Sequence, residues 1–289
     1  MNKIKKIIIF SNPECDNNFE YAKKIAALAK KSGIEIYADE KYRKELEGFD
    51  MDFIEEKDIP SLNADIAISL GGDGSMLDVS EKTAASACPV LGINLGNLGF
   101  LTALEKSEFS KLSDIFLGNY EIEERMMLCA KIEDGEFTKT LHVLNEIIIS
   151  SAVCAKITEI ELKCDNSVAV RCSSDGIIIA SPTGSTAYSL SAGGPIIDPN
   201  MEAICVTPIC PHSLTARPLV FNPNATLSVC GRTKDHKNNG MLVTPDGKDG
   251  IPVSQNAKIS VTRSPLKTKL VKVNQNRFFD ILSTKMYKK

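Results

Sequence analysis

Apolar residues in the first third of the chain occur either in short runs or at helical spacing. Four short runs predict buried strands, at residues 4–10, 34–38, 65–70 and 89–93. Tyr21, Ile25 and Leu28 instead recur at helical spacing, and Gly33 stands where that helix would end. Strands that alternate with helices are typical of a parallel sheet covered on both faces. The charged stretch 39–63 has neither period and is expected to form loop and short helix.

The pattern changes near residue 120, where segments rich in β-branched residues are separated by Gly, Asp and Asn. These segments lie at residues 126–132, 138–149, 157–163, 168–172, 227–230 and 258–262. We therefore expect an α/β N-terminal domain with a parallel sheet and a mainly antiparallel, β-rich C-terminal domain. The predicted domains are residues 1–104 and 105–275. A short helix is expected at 107–117, and the C-terminal segment 276–289 is expected to pack back on the first domain.

Composition narrows the possible classes of protein. The 289 residues are 43% hydrophobic and 25% charged, as in soluble globular proteins, and leave room for two domains. A net charge of −3 with scattered Lys and Arg argues against a nucleic-acid partner. No apolar run approaches the roughly 20 residues that span a bilayer, so we expect no membrane association and a cytoplasmic location. The nine cysteines include no C-x-x-C pair, which argues against a zinc site or a disulfide framework.

The motif Gly-Gly-Asp-Gly-Ser at residues 71–75 directly follows a predicted strand. Glycines let a ligand approach the main chain, so successive N–H groups can form a concavity for an anion. Ser75 is expected to cap a helix that runs to about Ala87 and adds to the attraction for phosphate. Asp73 would repel phosphate unless it binds a metal or accepts a proton from an attacking hydroxyl, and both uses belong to phosphoryl transfer. A tight turn with a turn-forming Asp explains these residues equally well.

A second glycine-rich turn spans residues 91–102. Its G-x-x-x-G-x-x-G spacing differs from the Rossmann fingerprint, and the chain contains no P-loop motif. Both turns are expected at the carboxyl edge of the sheet, where the ligands of such sheets bind. One interpretation places Asn94 beside a ligand bound at Asp73. The other is a loop closed by apolar side chains, those of Leu98, Phe100 and Leu101.

Residues 174–199 form the densest run of turn and hydroxyl residues in the sequence. A buried strand at 177–180 is expected to lead into a loop at 181–186 and then a helix at 187–192. The loop offers many hydroxyl and N–H donors but no nucleophile with a base, so it favours binding of a polar ligand over attack on one. An ordinary Ser/Thr turn with a helix cap is the alternative.

Four polar residues elsewhere could have a structural or a functional role. Asn145 and Glu146 interrupt an apolar strand, and either face solvent or face the hydroxyl-rich loop and bind sugar hydroxyls. Asp246 precedes a glycine, as in a hairpin turn. His212 lies in a proline-rich loop, where a histidine is more often structural than catalytic.

Together these motifs resemble the NAD kinase family. The matching pieces occur in the order typical of the family, at residues 71–75, 92–101, 145–146, 175–176, 181–188, 193–195 and 207–220. The Gly-Gly-Asp-Gly turn alone is weak support because diacylglycerol and sphingosine kinases also carry it. The loop at 181–188 joined to the segment 207–220 is specific for the NAD kinases.

The resemblance implies a kinase that phosphorylates the 2′-hydroxyl of the adenosine ribose of NAD to give NADP, with ATP or polyphosphate as donor. It implies Mg²⁺ with the ATP, a homodimer or homotetramer, and Asp73 as the general base. No metal site formed by the protein itself is expected. The residues expected to bind substrate or nucleotide are Gly71, Gly72, Gly74, Ser75, Asn94, Asn145, Glu146, Asp175, Ser181, Thr183, Ser185, Thr186, Ala187, Tyr188, Ser191 and Asp246.

The chain departs from the family pattern at four positions. Ser75 and Ser181 stand where Thr is expected, which keeps the hydroxyl, Ser173 replaces a common Arg, and Lys248 replaces a common Gln or His. These changes bear on nucleotide binding, including NAD against NADH, more than on the reaction. A lipid kinase of the diacylglycerol kinase type and a non-catalytic NAD-binding module are the alternative functions.

Overall fold

The computed structural model describes residues 3–153, 157–213, 215–233, 240–273 and 277–287. The chain forms two compact units. The first comprises Met1–Glu124 and Thr268–Lys289, and the second comprises Arg125–Lys267.

The structure contains strands β1 (Lys6–Ser11), β2 (Glu35–Asp39), β3 (Asp52–Ile54), β4 (Ile66–Gly71), β5 (Val90–Asn94), β6 (Leu104–Glu105), β7 (Glu121–Asp134), β8 (Phe137–Val143), β9 (Glu146–Ser151), β10 (Thr158–Cys164), β11 (Ser167–Ser174), β12 (Gly176–Ala180), β13 (Ile204–Ile209), β14 (Leu219–Phe221), β15 (Leu227–Thr233), β16 (Met241–Pro245), β17 (Ile251–Val253) and β18 (Lys258–Lys272). The helices are α1 (Glu20–Lys31), α2 (Arg43–Leu46), α3 (Ile59–Leu62), α4 (Asp73–Ala84), α5 (Leu112–Phe116), α6 (Tyr188–Ser191) and α7 (Arg277–Tyr287). Short 3₁₀ segments lie at Asn17–Phe19, Glu40–Tyr42, Glu56–Asp58, Lys106–Lys111 and Thr183–Thr186.

The first unit is built on a parallel sheet. Strands β5, β4, β1, β2 and β3 are neighbours in that order, and each pair is parallel. The chain leaves β1 through α1 to β2 on one side, while β4 lies on the other side. The carboxyl end of β1 is therefore a topological switch point, the usual ligand position in such sheets. The predicted α/β fold with a parallel sheet is confirmed.

Burial in the first unit explains the continuous apolar runs of its central strands. Ile7, Ile66 and Ile68 are fully buried because a strand with helices on both faces has no solvent side. Helix α1 places Ile25 in this core together with small alanines, whereas Leu28, one of the predicted contacts, is only half-buried.

The second unit contains two antiparallel sheets, as the sequence predicts. One sheet has the order β14, β13, β12, β9, β16 and β17, and every neighbouring pair is antiparallel. The other includes β11, β10, β15 and the first part of β18, with the β7–β8 hairpin attached. Alternate strand residues form the core of this unit, among them Ile147, Ile149, Ile177 and Ile179.

The two compact units divide the chain at different points from the predicted domains. Residues 105–124 belong with the first unit because Leu112, Ile115 and Phe116 are buried in its core. The Phe116 carbonyl also accepts a 3.0 Å hydrogen bond from the Ile4 N–H, just before β1.

Three element predictions were wrong in detail. The stretch 39–63 contains a strand, β3, which is too short and polar to show a period. The helix expected at 107–117 is a 3₁₀ segment followed by the five residues of α5. The apolar segment 138–149 is two strands, β8 and β9, separated at residues 144–145. The C-terminal helix α7 is present, and residues 274–276 before it lie outside the described residues.

Among the described residues, no helix combines the length and the apolar character that crossing a bilayer requires.

Leu70 provides a test of the core beneath the first glycine turn. This residue is fully buried in β4. We expect Leu70→Ala to lower the free energy of unfolding by about 2–5 kcal/mol because the shortened side chain leaves a cavity. Urea unfolding followed by circular dichroism measures the loss. Leu117→Ala is the matched control, since Leu117 is 59% exposed and its loss should stay within about 0.5 kcal/mol. Equal losses in the two variants would contradict this packing.

Candidate active site

The turn after β4 begins a helix at the carboxyl end of the parallel sheet. Helix α4 begins at Asp73, with Gly72 in the extended cap position and no side-chain cap. The prediction that Ser75 caps this helix is therefore wrong, because a glycine takes the cap position and Ser75 lies in the first turn. At Gly71 a Cβ would lie 2.2 Å from Ser75 Oγ, so the close approach requires glycine there. The helix ends at Ala84, before the predicted end at Ala87.

The Asp73 carboxylate is held by the second glycine-rich turn. Its Oδ2 accepts a 2.9 Å hydrogen bond from the Phe100 N–H, and its Oδ1 accepts a 3.0 Å bond from the Leu101 N–H. A Cβ at Gly99 would lie 2.2 Å from Asp73 Oδ1, so this approach also depends on a glycine. The two turns thus meet within the first unit, as their positions after parallel strands predict.

The side chain of Phe100 packs on the C-terminal helix. Its ring lies 5.7 Å from the ring of Phe278 between centroids, and the Lys285 ammonium lies 4.6 Å from the Phe100 centroid. Phe278 and Lys285 both belong to α7. A residue whose main chain binds Asp73 is therefore supported by the C-terminal helix of the same unit.

Asn94 stabilises the second turn from inside. Its side chain is 1% exposed, donates a 2.9 Å hydrogen bond to Glu105 Oε2 and accepts a 3.0 Å bond from the Gly96 N–H. Both ends of the amide group are thus used within the turn. A contact between Asn94 and a ligand stays a prediction.

A cavity of about 220 Å³ opens beside the first turn, at the carboxyl ends of β1 and β2. Its polar lining includes Asn12, Asp39, Lys41, Ser75 and Asp78. The Asn12 amide lies 3.4 Å from Ser75 Oγ, which connects the end of β1 with α4. Asn12 is not among the residues that the sequence predicted to bind a ligand. The turn Ser-Asn-Pro after the first predicted strand could have identified it, since ligands of parallel sheets bind at strand ends.

In the second unit, the Asp246 carboxylate binds three successive N–H groups. Oδ2 accepts from Leu144 at 2.8 Å, and Oδ1 accepts from Asn145 at 2.8 Å and from Glu146 at 2.9 Å. Burial raises the pKa of Asp246, while these N–H donors and the charge of Lys248 act in the opposite direction. Asp246 therefore does more than form a hairpin turn.

Glu146 is buried with an unpaired oxygen. The residue is 5% exposed, and its Oε2 has no hydrogen-bond partner among the described residues. Burial, with a smaller contribution from the negative charge of Asp246, raises the pKa of Glu146 to about 8. Asn145 is also buried, at 9% exposure. The interpretation that this pair lies on the solvent face of a strand is therefore wrong.

Three hydroxyl-bearing residues of the hydroxyl-rich loop are buried, and their hydroxyls form hydrogen bonds with other residues of the second unit. They are Ser181, Thr183 and Ser185. The Ser181 N–H donates to the Asn145 carbonyl at 2.8 Å, and the Ser181 hydroxyl donates to the Leu144 carbonyl. Ser185 Oγ donates to the Pro182 carbonyl and accepts from the Ile197 N–H. Thr183 accepts from the buried Arg125 guanidinium. These hydroxyls form the framework of the loop.

The other residues that the sequence selected in this loop are at least partly accessible to solvent. Thr186 and Ala187 are half-buried, while Tyr188 and Ser191 are exposed at the start and end of α6. Asp175, which precedes β12, is also exposed. Nearby in sequence, the Ser173 carbonyl accepts a 2.8 Å hydrogen bond from the main-chain N–H of His212. The sequence did not indicate which hydroxyl residues face solvent, because the loop has no regular period.

Gly99 and Gly96 allow a matched test of the Asp73 environment. We expect Gly99→Ala to displace the Asp73 carboxylate from the N–H groups of Phe100 and Leu101, because the new Cβ would overlap Oδ1. A crystal structure of the variant should show the displacement, with a loss of stability of about 1–3 kcal/mol. Gly96→Ala is the control, since nothing lies within 4 Å of a Cβ there. An unmoved carboxylate in Gly99→Ala would contradict the contact.

Comparison with protein families identifies both halves of the chain. Residues 7–120 match the ATP-NAD kinase N-terminal domain, and residues 144–273 match the ATP-NAD kinase C-terminal domain. An NAD kinase of Caldanaerobacter subterraneus subsp. tengcongensis is 35% identical over 285 residues, which cover 98% of this chain and 99% of that protein. An NAD kinase of Geobacter sulfurreducens is 35% identical over 288 residues, which cover 98% of each chain.

Two solved structures have the same fold. Yeast NADH kinase in complex with NADH aligns with a TM-score of 0.91 and 23% identity, covering 100% of this chain and 89% of that chain. An NAD kinase from Archaeoglobus fulgidus in complex with ATP aligns with a TM-score of 0.74 and 24% identity, covering 96% and 97%. The structural matches support the fold, and the family models together with the relatives show that this chain belongs to the NAD kinase family.

Proposed function

We propose that this chain is an NAD kinase that transfers a phosphoryl group from ATP to the 2′-hydroxyl of the adenosine ribose of NAD and forms NADP. Membership in the NAD kinase family supports the reaction. The observation that carries the proposal for the site is the Asp73 carboxylate at the start of α4, oriented by two main-chain N–H groups. A carboxylate beside an anion-binding turn suits removal of a proton from an attacking hydroxyl.

Asp73 acts as the general base in this proposal. The N–H groups of Phe100 and Leu101 fix the carboxylate in one orientation, while each oxygen keeps a second lone pair for the hydroxyl proton. A fixed base reduces the entropy lost on reaching the reactive geometry. The first-turn N–H groups of α4 and the main chain of Gly71, Gly72 and Gly74 would contribute positive potential for the donor phosphates.

The second unit supplies residues for binding of NAD. Asn145 and Glu146 are proposed to contact the nucleotide, as the resemblance implies, and the unpaired Glu146 oxygen supports this role because a buried polar atom gains free energy from a partner. The accessible residues of the loop complete the proposed nucleotide-binding set, and they are Asp175, Thr186, Ala187, Tyr188 and Ser191.

Magnesium is proposed to accompany the ATP. Among the described residues, no three His, Cys, Asp or Glu side chains form a group that could hold a metal ion. We propose that the donor phosphates carry the ion, since Mg²⁺ often keeps several waters and binds few protein carboxylates. Bound in this way, the ion neutralises charge on the transferred phosphoryl group. Polyphosphate is the second donor to be assayed.

The assembly and location are also proposals. A homodimer or homotetramer is proposed from the resemblance. Analytical ultracentrifugation measures the assembly. A cytoplasmic location is proposed because the eight described cysteines are free thiols, as expected in a reducing compartment.

Asp73→Asn tests the general base. We expect NAD to bind with unchanged affinity while NADP formation slows by roughly 10²- to 10⁴-fold, because the amide cannot accept the hydroxyl proton. Isothermal titration calorimetry measures binding. Assays for NADP, NADPH and phosphatidate measure turnover with NAD, NADH and diacylglycerol as acceptor, respectively. Asp50→Asn is the control, since Asp50 is an exposed partner of Lys30. Near-normal turnover in Asp73→Asn would exclude Asp73 from the mechanism.

Removal of magnesium tests the metal requirement. With excess EDTA, we expect NADP formation from ATP to stop and to return when Mg²⁺ is added in excess of the chelator, because the donor charge is then neutralised again. Binding of NAD, measured by calorimetry, should persist in EDTA. Undiminished turnover in EDTA would contradict the proposed role of the ion.

A further inference from the structure

Asp246 was expected to bind nucleotide together with Asn145 and Glu146. In the structure it is hydrogen-bonded to the segment 144–146, which contains those two residues. Its carboxylate accepts from the N–H groups of Leu144, Asn145 and Glu146, all within 2.9 Å. Its own N–H donates a 2.9 Å hydrogen bond to the Glu146 carbonyl. Four hydrogen bonds thus connect the turn between β16 and β17 with the link between β8 and β9.

The same link is held from its other side by the hydroxyl-rich loop. Ser181 donates its N–H to the Asn145 carbonyl and its hydroxyl to the Leu144 carbonyl. A Cβ at Gly184 would lie 2.2 Å from the Asn145 carbonyl oxygen, so the loop packs against the main chain. The N–H groups of the link therefore bind Asp246, and its carbonyls bind Ser181.

Asp246 is the charged group that acts on the pKa of Glu146. Asp246 and Lys248 lie on the turn after β16, and Arg125 lies on β7, where it donates to Thr183. The paired strand β12 places Ala180 beside Glu146 and contributes no charge there. Burial and the Asp246 charge both raise the pKa of Glu146, so at neutral pH the Glu146 carboxyl carries a proton.

We infer that Asp246 is a positioning residue, which orders the main chain of residues 144–146 and so places the Glu146 carboxyl to hydrogen-bond an oxygen of the bound nucleotide. In this arrangement the carboxyl donates the bond while it carries its proton. The inference rests on the proposed function and changes the expected role of Asp246, which acts through Glu146 and the main chain. Glu146 Oε2 is buried and has no partner among the described residues, so it is the atom that would gain a hydrogen bond when the nucleotide binds.

Amide hydrogen exchange tests the positioning without any ligand. Asp246→Asn replaces one acceptor oxygen by an NH₂ group, so we expect the amides of residues 144–146 to exchange at least about tenfold faster. Asp134→Asn is the matched control, because the Asp134 carboxylate also accepts a main-chain N–H, that of Ser254, in a different turn. Faster exchange confined to Asp246→Asn supports the inference, and unchanged exchange overturns it.

The pH dependence of NAD binding tests the protonated carboxyl. In the unmodified chain, NAD affinity measured by calorimetry should be full below pH 8 and fall as the pH rises through about 8, where Glu146 loses its proton. Removal of the Asp246 charge lowers the pKa of Glu146, so in Asp246→Asn the fall should begin at lower pH. Glu146→Gln should remove the dependence in this range. An unshifted midpoint in Asp246→Asn overturns the inference.

The two failures are distinguishable. An unmodified chain that shows this binding profile but forms no NADP contradicts the proposed function and leaves the positioning role intact. An active kinase in which Asp246→Asn changes neither exchange nor the pH profile contradicts the positioning role alone.

Discussion

Hydrogen bonds from main-chain N–H groups to carboxylates fix the geometry on which both proposed sites depend. Asp73 accepts two such bonds in the first unit and Asp246 accepts three in the second. Bonds to a charged acceptor contribute about 1.5–3 kcal/mol each, more than neutral ones. The donors come from chain segments distant in sequence, so each carboxylate also joins two elements. The hydrogen bonds that join the elements at these positions are therefore the same ones that orient the site.

Much of the fold follows from the sequence because the relevant signals are local. The alternation of apolar runs and helical spacing predicted the parallel sheet of the first unit. The β-branched segments predicted the antiparallel pairing in the second. The positions of both glycine-rich turns at strand ends predicted that they would meet. The contact between Asp73 and residues 100–101 realises that expectation.

The remaining differences between prediction and structure concern properties that depend on distant contacts. Glu146 is buried beside elements distant in sequence, and its N–H donates to Asp246, which lies 100 residues further along the chain. The limits of the first unit depend on the packing of α5 into its core, which no local period reports. The start of α4 differs from the prediction because Gly72, and not Ser75, takes the cap position.

The use of main-chain donors has a consequence for sequence drift. An N–H group is present whatever side chain its residue carries, so Phe100 and Leu101 can change identity without loss of their bonds to Asp73. Proline is the exception because it has no N–H group. Homologous chains can therefore differ at these two positions and still hold the carboxylate in the same way. A comparison of side chains alone would underestimate how much of this geometry two such chains have in common.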